Sequence, residues 1–393
     1  MEIVLICGTL EPGCDGVGDY AIRLAEELDR MGHSASILAI NDRFVNNNNI
    51  DDIVPGLINQ VRILRIPSIL PEKHRLELSK AWLKQLNPTW VSLQFVPFSF
   101  QNKGLPFALG SFLKKLEVGF KWHIMFHELW VGMPKGTSRK HVIWGWLQKH
   151  IVKALIVKLQ PHGIHTPCQL YHAQLTHLGF DVKHLPLFSN IPVKAMAYQL
   201  QQTESAIPIT NGDDNWFNSP NLSEISLVIF GTIHPQALAG KFIELVSTFM
   251  ERHGLKIKLT LVGRCGPYQE FWISACRLTG ISVEVKGEQP AETISYLLSN
   301  ADIGISTSAF AMIDKSGTVA AMLEHKLPVI CVGNTWVARG IDTPKLFDGI
   351  YALHDGCIEA CLSRAKPKRP FCASEAAKRL IKDLEHSVPY GKK

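Results

Sequence analysis

Long apolar runs are missing from this 393-residue chain: stretches such as residues 154–159 and 303–305 fall far short of the roughly 18 to 20 residues a membrane-spanning helix needs. No transmembrane helix is expected. The nine cysteines form no CxxC pair, and Cys7, Cys168, Cys265, Cys276 and Cys331 lie in or beside apolar segments, where a reduced thiol packs as a small hydrophobe. Neither a disulfide framework nor a metal site follows. Charged residues are only 19% of the chain and their balance is +6, which suits an anionic ligand or surface but falls short of a nucleic-acid binder. The GxxxxGK[ST] phosphate loop is absent. The chain opens on MEIVLICG, a strand-like run without a basic leader or cleavage site, so a cytoplasmic protein is expected.

What is present is an ordinary globular composition, 46% hydrophobic, at a length that suits two domains. Residues 2–7 (EIVLIC) read as a strand, a glycine-rich segment follows, residues 21–31 have helical spacing, and 34–40 read as a second strand. Further strands at 61–66, 90–95 and 122–126, with helical segments between, imply a parallel sheet covered on both faces. Periodicity fails between 187 and 224, where 203–223 gather Asn, Asp, Ser, Thr and Pro. It resumes with strands at 227–230, 258–262, 282–285, 303–306 and 329–332, helices at 241–253 and 292–298, and a last helix at 374–384 with Ser374 as N-cap and Pro389 beyond it. The expected layout is an N-terminal domain 1–195, a linker 196–224, a second domain 225–372 and a closing helix and tail 373–393. The expected fold class is α/β, two Rossmann-like domains facing across a cleft lined by the carboxyl ends of their strands.

Two segments carry ligand chemistry on residue type alone. In GTLEPGCDGVGDYA, Gly16 and Gly18 let the backbone approach a ligand ahead of a helix N-terminus, which suits an anion, with Asp19 beside them. GVGDYA also matches the dinucleotide pattern GxGxxG/A, with Asp42 at the end of strand 2, but residues 10–15 lengthen the turn beyond what that pattern tolerates. A plain surface turn is the alternative. In the second half, Lys315, Ser316, Gly317 and Thr318 stand at the mouth of a helix starting near Thr318, offering a cation, two hydroxyls and free helix N–H donors to a diphosphate. Ser316 as a simple N-cap is the rival reading. Asp314 is a further candidate beside this turn, and Glu324 reads as a solvated helix residue. His127 and Glu128 close the strand begun at Trp122 and so should face the cleft, unless the histidine is buried and satisfied by backbone, as expected of His123. Residues 139–159 interleave cations with Trp144 and Trp146, which fits either a membrane-surface helix or a domain helix with a solvated basic face.

GVGDYAIRLAEELDRMGHSASILA, VSLQFVPFSFQNKGLP, WHIMFHELW and PLFSNIPV together resemble family 4 glycosyltransferases, whose glycine loop, aromatic proline loop, histidine-acid strand end and proline-asparagine turn they parallel over most of the chain. The resemblance implies a GT-B fold and transfer of a sugar from a nucleotide-diphosphate donor to a saccharide or lipid-linked acceptor, with retention, without a metal or other cofactor, in polysaccharide or glycoconjugate synthesis. It implies His127 near the donor sugar, with Asp19 and Glu128 as further catalytic candidates. In FGTIHPQALAGK, Thr232 and Ala237 occupy the places of the family's diphosphate-binding arginine and lysine, leaving Thr232 and His234 as hydrogen-bond donors, Lys241 as a displaced cation, and Arg264 as either a substitute cation or a surface arginine. Glu288 of GEQP falls in the loop that reads the nucleotide base. Aligned on Pro328, the family's two glutamates fall on Ile313 and Ala321 and its turn glycine on Lys326, so the acidic pair is lacking. That departure motivates a second expectation, a non-catalytic nucleotide-sugar or glycan-binding protein on the same scaffold. An NAD-linked oxidoreductase is the third. No nucleic-acid partner is expected, and peripheral contact with the inner face of a membrane accompanies a lipid-linked acceptor.

Overall fold

The computed structural model describes residues 1–46, 53, 55–117, 119–193, 223–342, 348–363 and 371–387. The chain forms two compact units, one of residues Met1–Pro186, Ala338–Asp342 and Ala373–Lys393, the other of Leu187–Val337 and Thr343–Cys372.

The first unit holds eight strands, β1 (Glu2–Cys7), β2 (Ser34–Asp42), β3 (Gly56–Ile58), β4 (Val61–Pro67), β5 (Trp90–Phe95), β6 (Lys121–Phe126), β7 (Gly163–Thr166) and β8 (Lys183–His184), in the order β3-β4-β2-β1-β5-β6-β7-β8. Neighbours are parallel except in the β3–β4 hairpin, where Asn59 and Gln60 take φ of 49° and 73° to close a two-residue turn. The parallel pairs are joined by α1 (Gly16–Arg30), α2 (Glu72–Leu86), α3 (Pro97–Phe100), α4 (Leu109–Leu116), α5 (Arg139–Leu159) and α6 (Gln169–His177). β5 is buried along its whole length, as a central strand covered on both faces must be. The strand order reverses between β1 and β5, and the loops leaving those two strands meet: a Cβ on Gly8 would stand 2.5 Å from the Ser99 carbonyl oxygen.

The second unit is an all-parallel six-stranded sheet of β9 (Glu224–Phe230), β10 (Lys256–Val262), β11 (Ser282–Gly287), β12 (Ile303–Ser306), β13 (Val329–Cys331) and β14 (Ile350–Ala352), in the order β11-β10-β9-β12-β13-β14. Its helices are α7 (Ala239–His253), α8 (Gln269–Leu278), α9 (Ala291–Ser299), α10 (Gly317–Glu324) and α11 (Cys357–Ser363). Alternate residues of β9 serve opposite faces, as the two-residue repeat of a strand requires. Ile225, Leu227 and Ile229 join Phe242, Trp272 and Ile358 in one core cluster, while Val228 joins Leu298, Val319 and Met322 in another.

The last helix, α12 (Ala373–Glu385), belongs to the first unit and packs on α1. Its buried residues Ala376, Leu380 and Leu384, with Ala377 and Ile381, repeat every four positions and form one apolar stripe. Ser374 lies inside this helix, not ahead of it as its N-cap. Pro389 and the expected linker up to residue 222 lie outside the described residues, and Glu224 already opens β9.

Candidate functional site

In the second unit the strand order reverses between β9 and β12, the place where open parallel sheets bind ligands beyond their carboxyl ends. A cavity of about 430 Å³ lies there, lined by His234, Pro235 and Gln236 after β9, by Thr307, Ser308 and Ala309 after β12, by Met312, Lys315 and Ser316 ahead of α10, and by Asn334 after β13. Close backbone approach shapes it. A Cβ on Gly333 would fall 1.8 Å from the Ser308 carbonyl oxygen, and Gly231, at φ +84°, would place one 2.8 Å from Cγ2 of Thr318. Neither position accepts a side chain without moving its neighbour. Thr307 ties the loops together: its hydroxyl accepts from the His234 amide at 3.1 Å and donates to the Thr232 carbonyl at 3.0 Å.

Ser316 is the N-cap of α10, its hydroxyl accepting from the Val319 amide at 3.5 Å. The same hydroxyl accepts from Ser308 at 3.2 Å and lies 3.0 Å from the Thr318 hydroxyl. The capping reading of Ser316 therefore holds, and it holds inside the cavity, beside Lys315. Gly317 and Thr318 are the first two helical residues, so their N–H groups have no acceptor within the helix and stand at the positive end of its dipole. Cys331 lies behind this turn, its thiol donating to the Ser308 carbonyl at 3.4 Å and pushed up to about 11 by burial, so it packs as an inert hydrophobe.

The structure thus brings His234, Lys315, Ser316, Gly317 and Thr318 to one place, with the Thr232 carbonyl held against Thr307. It does not bring Arg264 and Glu288 there. These two pair with each other at 2.8 Å, both side chains more than 60% exposed, and neither lines the cavity. The Arg264 guanidinium holds the Glu288 carboxyl below the usual carboxylate range. Glu324 is buried, not solvated, and accepts from the Ser189 amide at 3.2 Å. Ile313 and Ala321 are core residues of the cluster around α10. Gln236, Thr307, Ser308 and Asn334 escaped the sequence reading, because they become neighbours only when β9, β12 and β13 are adjacent in the sheet.

In the first unit, α1 starts at Gly16, five residues ahead of the apolar periodicity, because Asp15 caps it: one carboxylate oxygen accepts from the Val17 amide at 3.1 Å and the other from the Thr9 hydroxyl at 2.5 Å. Gly16 and Gly18 are therefore not loop residues but the first and third residues of the helix. Gly16 is exposed, whereas Gly18 is buried under Leu10, whose Cδ1 would lie 3.1 Å from an added Cβ. Asp19 accepts from the Gly13 amide at 2.9 Å, and burial raises its pKa, with the nearby Asp15 adding to the rise. With two carboxylates at this helix start, an anion is electrostatically disfavoured here. Asp42 is fully buried and accepts from Arg65 Nε at 2.6 Å and from the Leu10 and Phe44 amides, so the acid that an NAD enzyme offers to ribose is spent on holding loops.

His127 follows β6, buried, with its ring edge-on to Tyr20 at 4.7 Å between centroids and Nε2 at 2.9 Å from Gln94 Oε1. That edge-on contact sets the histidine beside the first turns of α1. Gln94 is thus a side-chain partner of His127, and His123 likewise meets the side chains of Ser92 and His165. Glu128 is half-buried, its amide donating to the Phe95 carbonyl at 3.3 Å. Among the described residues, no group of three or more His, Cys, Asp or Glu side chains is placed to hold a metal ion.

No protein-family model and no curated protein sequence matches this chain. Solved structures do. A glycosyltransferase from Rickettsia africae ESF-5 is similar over 99% of this chain and 94% of its own, at 11% identity and a TM-score of 0.52. The Anabaena protein Alr3699/HepE, solved in complex with UDP, is similar over 98% and 100% at 10% identity and a TM-score of 0.55. A UDP-GlcNAc 2-epimerase from Neisseria meningitidis, solved with UDP-GlcNAc bound, is similar over 98% and 100% at 11% identity and a TM-score of 0.53. At such identities the likeness shows the fold: two α/β units on parallel-dominated sheets, the GT-B fold class.

Proposed function

We propose that this protein is a divergent family 4 glycosyltransferase that takes a nucleotide-diphosphate sugar as donor and binds its diphosphate in the cavity at the start of α10. The observation that carries this reading is the convergence of Lys315, the Ser316 and Thr318 hydroxyls and the α10 amides at the strand-order reversal of the second unit. A cation and a helix start stabilise negative charge as it grows on a departing diphosphate, so no metal ion is part of this proposal. The two neighbours solved with UDP or UDP-GlcNAc support a nucleotide-sugar ligand. In this reading His234 and Thr232 belong to the donor side, His127, Asp19 and Glu128 contribute the hydrogen-bonding and acid-base groups of the first unit, and the anomeric configuration is retained.

A saccharide or lipid-linked acceptor in polysaccharide or glycoconjugate synthesis completes the proposal, with the enzyme cytoplasmic and peripheral at an anionic membrane. Support for the lipid side comes from α5, which exposes Ile143 (62%), Trp146 (56%) and Val157 (62%) among its cations. A groove of about 320 Å³ beside it is lined by Phe107, Trp146, Ile151, Leu155 and Lys158. A non-catalytic binding protein on the same scaffold remains the second reading, favoured by the core positions of Ile313 and Ala321, where the resemblance places carboxylates.

Calorimetric titration with UDP, GDP and ADP tests the site. Lys315→Ala and Thr318→Val should each weaken binding of the preferred diphosphate, the lysine by about tenfold or more, the worth of a charge-assisted hydrogen bond. Unchanged affinity in both variants would refute the assignment. Slow hydrolysis of the matching sugar nucleotide favours the transferase, and tight binding without turnover favours the second reading.

A further inference from the structure

β5, β6 and β7 carry polar side chains where a central sheet ordinarily carries only apolar ones. Ser92 and Gln94 of β5, His123 of β6 and His165 of β7 are each no more than 1% exposed. The parallel register sets Ser92 opposite His123 and Met125 opposite His165, so these side chains share one face. Gly163, opposite His123 on that face, would place a Cβ 3.5 Å from the His123 ring and 3.8 Å from Leu384, so α12 covers it.

The polar groups form one unbroken chain. His127 Nε2 lies 2.9 Å from Gln94 Oε1, and Gln94 Nε2 donates to Ser92 Oγ at 2.7 Å. Ser92 Oγ lies 2.7 Å from His123 Nδ1, His123 Nε2 lies 2.9 Å from His165 Nδ1, and His165 Nε2 lies 3.0 Å from Asp383 Oδ2 on α12. Lys183 of β8 holds the other oxygen of Asp383 at 2.6 Å.

Proton directions follow from the end of the chain, because an ionised carboxylate only accepts. His165 therefore carries its proton on Nε2, and in a neutral ring its Nδ1 accepts from His123 Nε2–H. His123 Nδ1 in turn accepts from the Ser92 hydroxyl, which has then spent its one proton and accepts from the Gln94 amide. That turns Gln94 Oε1 toward His127, whose Nε2 must donate. We propose that Asp383 is a positioning residue that acts through this relay to hold His127 as the Nε2–H tautomer, leaving Nδ1 as its unprotonated ring nitrogen. For the proposed transferase, on whose reading this last step rests, the consequence is that any hydrogen bond His127 Nδ1 makes is one it accepts.

Neutrality of the relay is supported by burial, which pushes the pKa of His123 and His165 down. The charged and titratable groups facing them are Asp383 and Arg379 from α12, Lys183 and His184 from β8, and His127; only Asp383 favours protonation.

The test is long-range proton–nitrogen correlation NMR on the full chain labelled with ¹⁵N-histidine, which reads each tautomer without any substrate. Its outcome is thus independent of whether the protein transfers sugar. In the wild type at neutral pH, His123, His127 and His165 should all show the Nε2–H pattern. Asp383→Ala should turn His127 into a tautomer mixture. Ser92→Ala removes one hydroxyl at the middle of the chain, and should release His127 while leaving His165 as it was. A wild-type His127 protonated on Nδ1, or a His127 spectrum unchanged in both Asp383→Ala and Ser92→Ala, overturns the proposal.

Discussion

Lys326 sits at φ +59° in the turn between α10 and β13, a left-handed conformation that costs a residue with a Cβ roughly 1 kcal/mol. Lys326→Gly should stabilise the protein by about 1 kcal/mol, read from the denaturant midpoint. Gly8→Ala should do the opposite. Its Cβ would press on the Ser99 backbone, which cannot yield as a flexible side chain can, and a loss of about 2 kcal/mol is expected in the same measurement. Gly16 and Gly18 drew attention in the sequence because they cluster, but within that segment the glycine whose Cβ would strike a neighbouring loop is Gly8. Spacing along the chain carries no information about which turn lies across from it.

At the level of elements, the relay makes the pairing of β5, β6 and β7 with α12 sensitive to pH. His123 and His165 have folded-state pKa values below their unfolded value of about 6.5, so the unfolded chain binds more protons as pH falls. Their contribution to stability is complete above pH 6.5 and is lost as pH drops toward the folded-state values. Asp383 is depressed too, chiefly by its hydrogen bonds to His165 and Lys183 acting against burial, and its contribution persists until more acidic pH, below about 4. Stability should therefore fall from pH 7 to pH 5 by up to about 1.4 kcal/mol per pH unit for each histidine. Denaturant titrations at several pH values measure this, and His165→Gln should flatten the slope. The strands themselves were legible as short apolar runs, and α12 as a four-residue repeat. The relay was not, since its six members are spread from Ser92 to Asp383 and become a chain only through strand register.

At the scale of the molecule, the net charge of +6 leaves an excess of cations to be placed on the two units. α5 concentrates cations and exposed apolar side chains on the first unit, and among the described residues no helix is long and apolar enough to cross a membrane. Flotation with anionic phospholipid vesicles should recover the wild type. Replacing the exposed Lys140 and Lys153 with Glu should cost roughly 1 kcal/mol of binding for each lost cation, and more for the added charge. Equal recovery of wild type and variant would mean that this face is only a solvated helix.

The alternation of strands and helices, the two-unit α/β class and the Lys315–Thr318 turn were all readable from residue order, because apolar periodicity and helix-start chemistry are local. Tertiary structure alone decided where that chemistry lies. Only the order β11-β10-β9-β12-β13-β14 sets His234, Thr307 and Asn334 around the start of α10, and only the Asp15 and Asp42 contacts show that the first glycine segment enters a capped helix. Sheet order and loop-to-loop contact join residues far apart in sequence, and no local pattern encodes them.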